Sequence, residues 1–145
     1  LPNFSFFITT SRRTPSYFVK CLNDKYCNNK NIHIVDPQSK TNPYLAMLSI
    51  AQEIFVTNDS VNMVSEACSA GKRVHIIKLH NFTKGKPVKF ANNIVKNKLA
   101  TFFEGQIPKK TPTPAKINET KKIAQEVQNI LIKKHGFSKK DFKNN

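Results

Sequence analysis

The sequence predicts an α/β protein in which a parallel sheet is flanked by helices, and three observations carry this. Four short apolar segments alternate with three segments of helical periodicity, and strands alternating with helices are joined by crossovers that make the sheet parallel. Each helical segment opens on Pro or on an Asn-Asp-Ser run, the start signals of helices. At 145 residues and 39% hydrophobic content the chain suits one modest core.

Phe4 to Thr10 is apolar and aromatic, as a buried strand requires, and runs into Ser11-Arg12-Arg13-Thr14-Pro15. Pro15 fits a first helical turn with Thr14 as its cap. Tyr17, Phe18, Cys21 and Leu22 recur at helical spacing until Asn28 and Asn29. Ile32 to Val35 is a second strand, closed by Asp36-Pro37. Pro43 opens a helix with Tyr44, Met47, Leu48 and Ala51 on one side. Ile54 to Thr57 is a third strand, and Asn58-Asp59-Ser60 caps a helix whose inner face is Val61, Val64, Ala67 and Cys68. Gly71 stops that helix, and Arg73 to Ile77 is a fourth strand. Phe90, Ile94, Val95 and Leu99 then mark another amphipathic helix, with Ala100 to Phe103 extended after it.

The expected organisation is an α/β domain over 1–107, a linker over 108–116 with three prolines and three lysines, a helix over 117–136 and a flexible tail over 137–145. Ile123, Val127, Ile130 and Leu131 form the apolar stripe of that last helix, whose partner surface is expected outside this chain. The chain does not begin with Met, which reads as a piece of a longer protein. Leu1 to Phe7 has no basic n-region and no small-residue cleavage site, so no signal peptide is expected.

The longest apolar runs fall far short of the ~20 residues of a bilayer span. Three cysteines, Cys21, Cys27 and Cys68, match neither a CxxC redox motif nor a zinc knuckle and read as reduced thiols of a cytoplasmic protein. The four histidines are scattered, so neither a metal site nor a cofactor is expected. The formal charge of +15 is uneven: residues 1–71 carry 6 basic and 5 acidic side chains, residues 72–145 carry 18 and 4. Charge runs are usually solvated faces, and that is the leading reading of these lysines; as a docking flank they would fit nucleic acid, an anionic membrane surface or a phosphorylated ligand. Lys outnumbers Arg 21 to 3 and comes without interleaved aromatics, which ranks nucleic acid last.

In parallel α/β sheets the ligand lies beyond the carboxyl ends of the strands, where helix N-terminal amides are free. Two segments belong there. Ser11-Arg12-Arg13-Thr14 offers hydroxyls and two guanidinium forks, which match phosphate oxygens bidentately and suggest a diphosphate. In the second, Val56 to Ala67, Ser60 caps the helix or bonds a phosphate, and Glu66 suits a ribose diol. The structural alternative is that Arg12 and Arg13 pair with carboxylates such as Asp59, while Asp59 and Ser60 are ordinary caps and Glu66 is a solvated helix residue.

A strand followed by S-R-R-T-P, then T-x-D-S-V-x-M-V-S-E-A ending in G-K-R-V, resembles the C-terminal half of the mitochondrial fission "elongated mitochondria" family over most of residues 4–135. The resemblance implies a Rossmann-like domain, the second of two in a glycosyltransferase-B-like architecture. The SRRTP loop and the helix carrying Asp59, Ser60, Met63 and Glu66 would line its donor side, and the closing helix would cross back to an N-terminal domain. Epimerase chemistry is not expected: with 4 Gly in all there is no GxGxxG loop, and Tyr26 to Lys30 matches the Tyr-x-x-x-Lys spacing alone. The leading expectation is therefore the nucleotide-sugar-binding half of such a protein, with a separate N-terminal half as partner, no nameable catalytic base and little or no turnover alone. The alternative is a non-enzymatic module peripheral to a membrane or bound to another protein.

Overall fold

Ile54 and Val56 alternate with Phe55, and Val74 and Ile76 with His75, so each strand presents one wholly apolar face. That face organises the second of two compact units, Leu1–Gln52 and Glu53–Asn145, into which the chain divides. The computed structural model describes residues 4–11, 13–35, 43–106, 119–136 and 138, without the side chains of 119–124 and 135.

The first unit holds β1 (Phe6–Thr9), α1 (Ser16–Tyr26), β2 (Ile32–Val35) and α2 (Tyr44–Ile50). β1 and β2 are parallel, with Phe6 opposite Ile32 and Thr9 opposite Val35, and α1 is the crossover between them. None of its described residues is buried, and Phe6, Phe7, Tyr17, Phe18 and Leu45 are exposed. The Thr14 cap is not formed. Pro15 takes the N-cap position, and its ring offers no acceptor; one residue earlier the Thr14 hydroxyl accepts from the Ser11 amide at 3.0 Å.

The second unit holds β3 (Glu53–Thr57), α3 (Val61–Ser69), β4 (Arg73–Ile77), α4 (Lys86–Lys96), β5 (Thr101–Phe102) and α5 (Glu119–His135). Its three strands are parallel in the order β3-β4-β5, with Glu53 opposite Arg73 and His75 opposite Thr101. Strand and helix alternate as expected, and the strands are parallel within each unit.

The core belongs to the second unit: Ile54, Val56, Val74 and Ile76 from the strands meet Val64, Ala67 and Cys68 of α3 and Ala91 and Ile94 of α4. The ends of these helices follow from their residues. Ser60 Oγ accepts from the Met63 amide at 3.4 Å, and Gly71 takes φ 67° just beyond α3. Gly85, at φ 102°, turns the chain into α4, and Pro sits in that helix's first turn. At the other end of α4, Lys98 adopts φ 58° while the Lys98 and Leu99 amides bond the Val95 and Ile94 carbonyls, a Schellman ending built without glycine.

Residues 108–116 and all of the tail except Ser138 lie outside the described residues. In α5, Val127 and Ile130 are 48% and 51% exposed, so within this unit the expected inward face is uncovered there. Among the described residues no helix is long and apolar enough to cross a membrane.

Candidate functional site

The first candidate segment follows the carboxyl end of β1 and closes on itself. Thr14 donates its amide to the Ser11 carbonyl at 2.9 Å, the Ser11 amide returns a bond to Thr14 Oγ1, and the Arg13 amide donates to Ser11 Oγ at 3.2 Å. Ser11 and Thr14 therefore shape a rigid turn, and Arg13 stands exposed upon it. The Arg13 guanidinium forms no ion pair among the described residues. Arg12 lies outside the described residues.

The second segment follows the carboxyl end of β3, in the other unit. Asn58 is 3% exposed and its whole amide is engaged: Oδ1 accepts from the Leu79 amide at 3.0 Å, and Nδ2 donates to the Phe82 carbonyl at 3.2 Å. Its backbone amide donates to the Ile77 carbonyl. Asn58 thus fastens the loop after β4 to the end of β3. Asp59 accepts from the Thr57 hydroxyl at 2.5 Å. Ser60 spends its oxygen on the Met63 amide at a distance long enough to leave it acceptor and donor capacity. Glu66 is exposed on the side of α3 away from Val64 and Cys68, with no ion pair among the described residues.

A polar cluster that sequence reasoning missed lies nearer the amino ends of β3 and β4. His75 is fully buried and stacks on Phe55 at 4.8 Å. Its Nε2 lies 2.6 Å from Glu53 Oε2 and its Nδ1 3.0 Å from Thr101 Oγ1, while Arg73 Nη2 reaches Glu53 Oε1 at 2.6 Å. An ionised carboxylate only accepts, so Nε2 carries the proton toward Glu53; the Thr101 hydroxyl donates to a neutral ring or accepts from a protonated one. The cluster bolts three strands together away from the carboxyl ends. Its sequence signal was one polar residue inside an apolar strand, two positions after Arg73. Beyond this, burial pushes the Cys68 thiol up from 9.0 to about 11.

Parallel strands joined by helical crossovers, with polar turns at the carboxyl ends of β1 and β3, define a Rossmann-like α/β protein. The family model described as mitochondrial fission ELM1 matches residues 2–131, and the chain belongs to that family. It is 35% identical over 130 residues to an uncharacterized protein of Rickettsia prowazekii (strain Madrid E), a match covering 87% of this chain and 36% of the relative. It is 36% identical over 70 residues to the mitochondrial fission protein ELM1 of Arabidopsis thaliana, covering 48% of this chain and 16% of that protein. The matched region thus spans about a third or less of either relative's length. No solved structure matches the chain.

Proposed function

We propose that this chain is the donor-side half of a glycosyltransferase-B-like protein and binds a nucleoside-diphosphate sugar. Arg12 and Arg13 on the Ser11–Thr14 turn suit the diphosphate; in the other unit, Ser60 at the start of α3 suits a phosphate and Glu66 a ribose diol. Asn58, Asp59 and Met63 keep that helix start in place. What supports this reading is that Arg13 and Glu66 are exposed and without ion pairs among the described residues, each on a segment that follows the carboxyl end of a parallel strand. Planar guanidinium groups and a free carboxylate are the chemistry that a diphosphate and a diol require. No side chain here is assigned as a general base, and the chain alone is expected to turn over nothing measurable.

The test is thermal stability of the chain during titration with UDP, UDP-sugars and GDP-sugars. A nucleoside diphosphate is expected to raise the midpoint, by the linkage between binding and folding, and Arg13→Ala and Glu66→Ala are each expected to abolish the rise. A folded sample that no nucleotide stabilises overturns the reading.

A further inference from the structure

From Ala67 to Phe103 the sequence contains no Asp or Glu and eight Lys or Arg. Two of these cations are occupied: Arg73 pairs with Glu53, and Lys78 Nζ lies 4.0 Å over the Phe102 ring. Those around α4 have an organised geometry. Lys86, Lys89 and Lys96 fall within about 80° of one another around the helix at 3.6 residues per turn, and all three are exposed. Ala91 and Ile94, which are buried, point the other way. Lys84 precedes them in the loop. Just before it stands Phe82, a residue 42% exposed although its amide donates to the Leu79 carbonyl and its carbonyl is held by Asn58. An anchored backbone thus displays an apolar ring at one end of a lysine stripe.

We infer that this loop and the outer face of α4 dock on an anionic lipid surface, with Lys84, Lys86, Lys89 and Lys96 over the head groups and Phe82 inserted among them. Charge complementarity selects a polyanion, since no Asp or Glu lies between Ala67 and Phe103 in the sequence. The choice of lipid follows from the side chains. Lysines are point charges suited to a fluid array of head groups, and a lone aromatic among them suits the interface between head groups and acyl chains. A nucleic-acid groove calls for arginine forks and successive stacking rings, which this face lacks. The inference does not depend on the nucleotide reading.

The experiment is co-flotation of the 145-residue chain with vesicles of pure phosphatidylcholine or with about 30% phosphatidylserine, at about 0.1 M and about 0.5 M salt, a range over which charge screening tightens several-fold. Binding is expected only with phosphatidylserine and at the lower salt. The triple substitution Lys84→Gln, Lys86→Gln, Lys89→Gln is expected to reduce partitioning about 100-fold. Phe82→Ser is expected to reduce it about tenfold without changing the salt dependence. The charge-matched control Lys20→Gln, Lys25→Gln, Lys30→Gln is expected to change it less than about threefold. The inference is overturned if the two triple variants behave alike, if binding ignores phosphatidylserine, or if duplex DNA binds tighter through the same lysines with no effect of Phe82→Ser.

Discussion

Asn58 offers the sharpest separation between a residue that touches ligand and one that holds the fold. Replacing it with Ala removes two hydrogen bonds, to the Leu79 amide at 3.0 Å and the Phe82 carbonyl at 3.2 Å. Each is worth about 1 kcal/mol net, and the half-buried Leu79 amide recovers water only in part, so the expected loss is about 2–3 kcal/mol. In urea, at a slope of about 1.5 kcal/mol per molar, the midpoint falls by about 1.5 M with the slope unchanged. Amide exchange localises the effect: the Leu79 N–H is expected to lose protection beyond that of the β4 amides, because its acceptor is gone. Asn58→Asp keeps an acceptor for Leu79 but sets an oxygen against the Phe82 carbonyl, and is expected to be worse than Ala near neutral pH. All of this is expected without any nucleotide. A variant within about 0.5 kcal/mol of the parent, with Leu79 exchange unchanged, would refute the anchoring and return the Asn58 amide to the ligand.

Further outcomes are expected at the cysteines, at Glu53 and at Lys98. A maleimide near neutral pH should label Cys21 and Cys27, which are exposed, and reach Cys68 only on unfolding. Since burial raises the Cys68 thiol from 9.0 to about 11, the native state keeps a proton that the unfolded state releases. Stability therefore falls as pH rises through that window, by up to about 2–3 kcal/mol, and urea midpoints for Cys68→Ala should lack that component. Glu53→Gln keeps an oxygen for His75 but loses the charge facing Arg73, so it should cost less than about 1 kcal/mol and vanish in high salt. Glu53→Ala strands a buried ring nitrogen and should cost about 2–3 kcal/mol at any salt. Lys98→Gly relieves a left-handed side-chain-bearing residue at the end of α4 and should raise stability by about 1 kcal/mol; a lowered thermal midpoint would contradict the Schellman assignment.

What the sequence made legible is what neighbours in sequence determine. The cap at Ser60, the inner face Val64-Ala67-Cys68, the stop at Gly71 and the strand Arg73–Ile77 are each written within a few residues, and the structure repeats them. The family was legible too, from two motifs in order. Where reading failed, the deciding contact is distant or competes with another. Asn58 finds its partners 21 and 24 residues on, and His75 finds Glu53 and Thr101 22 residues before it and 26 after it. No periodicity or motif announces such bonds. At Thr14 the expected cap lies one residue too early: the helix begins at Ser16, so the cap position falls on Pro15, and the Thr14 hydroxyl closes the turn with the Ser11 amide instead.

These distant bonds also order the chemistry within the second unit. The Arg73-Glu53-His75-Thr101 cluster ties its strands together nearer their amino ends, leaving the turn at the carboxyl end of β3 free of that duty. Asn58 sits on this turn, one residue before Asp59 and two before Ser60, and also holds Phe82 at the root of the lysine-bearing loop. The proposed donor segment and the proposed lipid-facing loop therefore share an anchor. Coupling through a shared anchor is reciprocal by linkage, and it is positive if both ligands favour the anchored state. If so, Asn58→Ala should weaken vesicle partitioning and nucleotide stabilisation together, while the Lys84, Lys86 and Lys89 substitutions weaken partitioning alone. If Asn58→Ala instead alters one of the two and spares the other, the loop and the helix start are independent, and the bonds to Leu79 and Phe82 serve stability only.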